Sequence, residues 1–86
     1  MEMIRVSSSS QPSKVAGALT SLLRIHKNVQ IQVIGAAALN QAMKAIAIAR
    51  GYIAPGGYEL YCIPSFFDLT IDEQTVTSLR INVEMR

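Results

Sequence analysis

Among these 86 residues, Cys62 and His26 are the only cysteine and the only histidine. Together they could form a thiol nucleophile and its base. Cys62, however, lies in the apolar stretch YCIP, which predicts a core filler. His26 falls near the end of a predicted helix, where the helix dipole favours a cation. Asp68, Asp72 and Glu73 are the clustered carboxylates, and they surround a predicted hairpin tip with no convergent histidine or third ligand. One cysteine excludes an internal disulfide framework and a zinc site built on several thiolates. The sequence therefore predicts no enzyme, no metal site and no cofactor.

Phosphate binding is the better chemistry. Two segments, Ser7–Pro12 and Gly35–Ala38, each lead from a predicted strand into a predicted helix. Helix N-termini offer free backbone N–H groups and the positive end of the dipole to an anion. Ser8, Ser9, Ser10 and Ser13 add hydroxyls, and Lys14 adds a cation in the first turn of the first helix. Asn40, Gln41 and Lys44 line the opening turns of the second. Acids usually occupy first helical turns, and neither helix has one there. The segment GAAAL is not GxGxxG, and no lysine-terminated phosphate loop is present. No glycine–aromatic motif of an RNA-recognition sheet is present either.

The elements that must position these groups follow from periodicity. Met3–Ser7 alternates as a short strand, with Ile4 and Val6 on one side and Arg5 on the other. The polar serine run leads to Pro12, which suits a first helical turn, and a serine or glutamine before it supplies the cap. The first helix runs from about Pro12 to His26, with Val15, Leu19, Leu22, Leu23 and His26 on one face, and stops at Asn28. A second strand, Val29–Ile34, turns Val29, Ile31 and Val33 to the core. The second helix spans about Ala37 to Arg50 and ends at Gly51. Its face is Leu39, Met43, Ile46, Ala49 and Ile53. Alanines make much of its other surface apolar, which predicts burial on a second side against another subunit.

After the turn Ala54–Gly57, Tyr58–Ile71 and Thr75–Met85 form a long antiparallel hairpin with the acidic tip Asp72–Glu73–Gln74. The order is β-α-β-α-β-β. Right-handed crossovers place both helices on one face of a four-stranded mixed sheet, an α/β (α+β) two-layer sandwich. Arg5, Gln30, Gln32, Arg80 and Asn82 fall on the open face.

Composition narrows the function classes. The length suits a single domain over residues 1–86, and 50% hydrophobic residues argue against disorder. No apolar run approaches the roughly 20 residues of a membrane helix, and the N-terminus MEMIRVSSSS does not read as a signal peptide. The expected location is the cytoplasm. Only 16% of residues are charged, yet they are segregated. No acid occurs between Glu2 and Glu59, whereas Arg5, Lys14, Arg24, Lys27, Lys44 and Arg50 all lie there. Such asymmetry predicts a positive field offered to an anionic partner.

Three segments carry a family resemblance: VAGAL at Val15–Leu19, GAAALNQAMKAIAIARGYIAP at Gly35–Pro55, and CIPSF at Cys62–Phe66. They resemble the stage V sporulation protein S family along nearly the whole chain, with Ala37 where a glycine is expected. That family is similar in topology to the Alba group of small nucleic-acid-binding proteins. The resemblance implies an Alba-like fold, dimers and higher assemblies joined through the second helix and third strand, and a regulatory role in spore development. It also marks departures. Ser10–Gln11 stand where Alba proteins carry a lysine pair, and Gly35–Ala36–Ala37 stand where they carry arginines. Gln41 replaces a lysine, Lys44 stands where an acid can occur, and Arg50 matches an Alba arginine. Fewer cations imply weaker, salt-sensitive binding.

The sequence thus predicts a cytoplasmic, non-enzymatic, Alba-like dimer that binds nucleic acid, DNA or RNA, without strong sequence preference. The predicted surface is Ser9, Ser10, Lys14, Asn40, Gln41, Lys44 and Arg50. Two other readings use the same features: a protein-interaction scaffold, and a sensor of small anions or nucleotides.

Overall fold

The computed structural model describes residues 2–86. Strand β1 (Glu2–Val6) enters a serine turn in which the Ser10 N–H donates to the Ser7 carbonyl at 3.1 Å. Pro12 then opens helix α1 (Pro12–His26). Lys27 ends it in the left-handed region, φ 66°, with its N–H on the Leu23 carbonyl at 2.8 Å. The expected stop at Asn28 moves back one residue because Asn28 already pairs with Glu84 in the sheet. Strand β2 is Asn28–Val33.

Helix α2 spans Ala36–Ile53 and runs through the expected terminus at Gly51. The reason lies in the core: Ile53 is 3% exposed, so the last turn is held by burial. A short 3₁₀ turn, Ala54–Gly56, and Gly57 at φ 89° then redirect the chain. Strands β3 (Leu60–Ile71) and β4 (Gln74–Met85) follow. Their turn is two residues, not three. Asp72 and Glu73 sit at φ 50° and 66°, and Gln74 already pairs with Ile71. Positive φ at both central positions matches the right-handed twist of a hairpin.

The sheet order is β1-β2-β4-β3. β1 and β2 are parallel, and the other neighbours are antiparallel. The predicted β-α-β-α-β-β order, mixed four-stranded sheet and helical layer are all present. Because the two crossovers leave parallel strands, both helices begin at the same sheet edge. Leu19, Leu23, Val29, Ile31 and Val83 are the largest fully buried side chains. On α2 the buried stripe is Ala38, Ala42, Ala45, Ile46, Ala49 and Ile53. Its alanines bring the α2 backbone close to α1 and the sheet. The predicted face is displaced toward these alanines, leaving Met43 46% exposed. On α1, Ala16 and Thr20 join Leu19 and Leu23 inside, while His26 is exposed.

Beyond the row that joins Val33 to Leu79 and Phe66, β3 and β4 continue alone as a two-stranded arm. The molecule is accordingly elongated, 45 × 23 × 16 Å.

Candidate nucleic-acid interface

The two helix openings meet through one side chain. Gln41 Nε2 donates to the Ser10 main-chain carbonyl at 2.9 Å. This bond ties the first turns of α2 to the loop that starts α1. Neither helix has a side-chain cap, and neither carries an acid in its first turn. Gln11 and Gly35 hold the two cap positions. Gly35 adopts φ 88°, where a side chain would be strained, and so sends the chain sharply from β2 into α2. The first N–H groups of α2 are therefore left to solvent or an anion.

Of the expected serine or glutamine cap, Gln11 holds the position but makes no side-chain cap bond, and the serines do not cap α1. They knit their own turn: the Ser7 N–H donates to Ser10 Oγ at 2.9 Å, and Ser7 Oγ lies 3.1 Å from Ser9 Oγ and 3.3 Å from Ser10 Oγ. Ser9 remains exposed and Ser10 half-buried. Lys14 is exposed in the first turn of α1. On α2, Asn40 and Lys44 are both exposed, one turn apart in a single stripe. Lys44 stands eight residues into the helix, about 12 Å from its start. Among the described residues neither lysine is in an ion pair.

Five of the seven predicted residues thus cluster around the openings, with Lys44 about two turns further along α2. Arg50 does not join them. It lies near the opposite end of α2, where Nε and Nη2 donate to the Glu59 carboxylate at 2.6 and 2.9 Å. These hydrogen bonds, helped by the Leu60 N–H, hold the Glu59 carboxyl down at about 2, and they raise Arg50 above its ordinary value.

Cys62 departs from its expected core position. It is exposed on β3, facing the helical side beyond the cover of α2, and partial burial of its sulfur pushes the thiol up. A raised thiol is a poor nucleophile at neutral pH. His26 instead faces Glu2, with Nε2 3.6 Å from Oε1.

Strand alternation assigns Arg5 only to the open sheet face. The structure puts it abreast of Gln32 and Arg80, and beside the start of α2. The parallel pairing of β1 and β2, read together with strand parity, is the signal that places it there. No helix is long and apolar enough to cross a membrane among the described residues.

A family model described as Stage V sporulation protein S (SpoVS) matches residues 2–86. Among solved structures, Alba from Thermoplasma volcanium is similar, with a TM-score of 0.66, 98% of each chain covered and 13% sequence identity. At that identity the likeness establishes a shared fold.

Proposed function

Since the chain belongs to the stage V sporulation protein S family, we propose that it is a small, non-enzymatic regulatory protein that binds nucleic acid as a dimer. The observation that carries this reading is the Gln41–Ser10 hydrogen bond, which holds two uncapped, acid-free helix starts side by side. Phosphates along a polymer meet the free N–H groups at the start of α2 and the positive ends of two dipoles there. Lys14 and Lys44 supply cations, and Ser9, Ser10 and Asn40 supply hydroxyl and amide groups. Gln41 acts mainly as the tie between them. Backbone contacts of this kind position a protein on a polymer without reading its sequence.

The dimer contact in this reading is the side of α2 next to β3. Phe66, 79% exposed, stands with Cys62 and Pro64 on the helix-facing side of β3, and Met43 is exposed on α2. Aromatic and aliphatic side chains left uncovered together fit a subunit contact.

The test is fluorescence anisotropy with single- and double-stranded probes across a salt series. Binding is expected to weaken as salt rises, and Lys14→Glu with Lys44→Glu is expected to abolish it while the fold persists by circular dichroism. Removing a single cation that neutralises one phosphate flattens the log–log salt slope by about 0.9 on duplex DNA. Absence of binding at low salt defeats the proposal. Capture of a protein partner insensitive to the two reversals favours the scaffold reading instead.

A further inference from the structure

The arm formed by β3 and β4 is two-faced. On one side stand Asp68, Thr70, Thr75 and Thr77, with Thr77 Oγ1 donating to Asp68 Oδ1 at 3.4 Å. On the other stand Phe67, Leu69, Ile71 and Val76. A ribbon with no second layer has no core of its own to fill with such an apolar row. Three of these residues, Phe67, Leu69 and Ile71, instead form one wall of a cleft of about 600 Å³. Ile34, 45% exposed, continues that wall beyond the end of β2.

The opposite end of the cleft is polar. Arg5 lines it with Gln32, Ser7 and Ser8. Among the described residues Arg5 has no ion-pair partner, and no carboxylate lines the cleft. The floor is Gly35, Ala36 and Ala37, whose minimal side chains leave the backbone accessible. An unpaired guanidinium facing an apolar wall across a cleft of this size fits the usual form of a small-molecule site, roughly 300–1,000 Å³ with few polar anchors.

We propose that this cleft binds a small amphipathic anion, a ring or short chain ending in one carboxylate or phosphate. The anionic end meets Arg5, which can grip either head group with two parallel N–H donors. The apolar body lies along Phe67, Leu69 and Ile71. The Phe67 ring is already set in place by Arg80, whose guanidinium carbon lies 4.6 Å from the ring centroid. The cleft shares the start of α2 with the polymer-binding reading, but neither Lys14 nor Lys44 lines it, so the Lys14→Glu variant separates the two.

The experiment is a ¹H–¹⁵N NMR titration of the full chain with octanoate and with phenyl phosphate. Inorganic phosphate and benzyl alcohol serve as the body-less and charge-less controls. Saturable shifts are expected together at Ser8, Ala36, Ala37, Leu69 and Ile71, from one or both amphipathic probes. Each control is expected to bind about tenfold more weakly or worse, the scale of one charged hydrogen-bonded contact. Arg5→Gln, at an exposed position, is expected to weaken binding by a similar factor, and Lys14→Glu to leave it unchanged. The proposal is overturned by absence of saturable shifts at millimolar probe. It is equally overturned by inorganic phosphate binding as well as phenyl phosphate, or by shifts confined to Cys62–Phe66.

Discussion

The Gln41 side-chain amide donates to the main-chain carbonyl of Ser10 across 31 positions of sequence, at 2.9 Å. A carbonyl in the loop before one helix is thereby satisfied from the second turn of the other. The bond makes the two openings a unit rather than two independent ends.

Removing that tie tests it directly. Gln41→Ala is expected to lower stability by about 0.5–1.5 kcal/mol, the usual net value of one hydrogen bond. Urea unfolding with an unchanged m value is the measurement. Unaltered stability would mean that the bond does not persist in solution.

The Arg50–Glu59 pair predicts an acid-side dependence. Glu59 is held at about 2 against an ordinary value of 4.5. Its folded value is the lower one. Its contribution is therefore complete above pH 4.5 and disappears as pH falls from there toward 2. Carboxyl NMR should find the Glu59 midpoint near 2, and Arg50→Gln should move it up toward 4.5. The pair is exposed, so added salt should reduce the difference.

Two glycines should respond in opposite directions. Gly51 lies inside α2, and a Cβ added there meets nothing within 4 Å. Gly51→Ala is expected to raise stability by about 0.5–1 kcal/mol. Gly35 at φ 88° also has open space, but an L side chain strains that backbone. Gly35→Ala is expected to cost about 1 kcal/mol or more. Thermal unfolding of both variants checks the sign.

Phe66 separates assembly from folding. As it is 79% exposed, Phe66→Asp should change the stability of an isolated subunit by less than about 0.5 kcal/mol. Under the proposed dimer, sedimentation should show the wild type as a dimer and the variant as a monomer. A monomeric wild type would remove that contact.

Much of this architecture is legible in the sequence because periodicity and burial agree. Val29, Ile31 and Val33 alternate inward as their spacing demands, and α1 begins at Pro12 and ends at His26, where the periodic pattern places its limits. The boundaries that differ are set by partners distant in sequence. Gly51 looks like a terminus, yet α2 continues because Ile53 reaches the core. Cys62 looks internal, yet β3 is an edge strand that the helices do not cover. The site is legible as far as the helix starts. Which of its residues work as contacts and which as braces is not. That Arg50 meets Glu59, and Gln41 meets Ser10, is visible only in the folded chain. Arg5 escapes a sequence reading because its relevance depends on an arm more than 60 residues downstream.

The hairpin turn places Asp72 and Glu73 at the extremity of the arm, on the same side of the molecule as the helix starts. Those two carboxylates form a repulsive outrigger beyond the five residue pairs that follow the row of Val33, Leu79 and Phe66, at the far end of the arm from the proposed landing zone. Within a Debye length, about 8 Å at physiological ionic strength, a strand of phosphates is turned away from the extremity. Under the proposed binding, a polymer crossing the helical layer is unopposed, whereas one laid along the ribbon to its tip meets two like charges. Under that reading, what the protein refuses would bias the orientation of a polymer, with no base read at all.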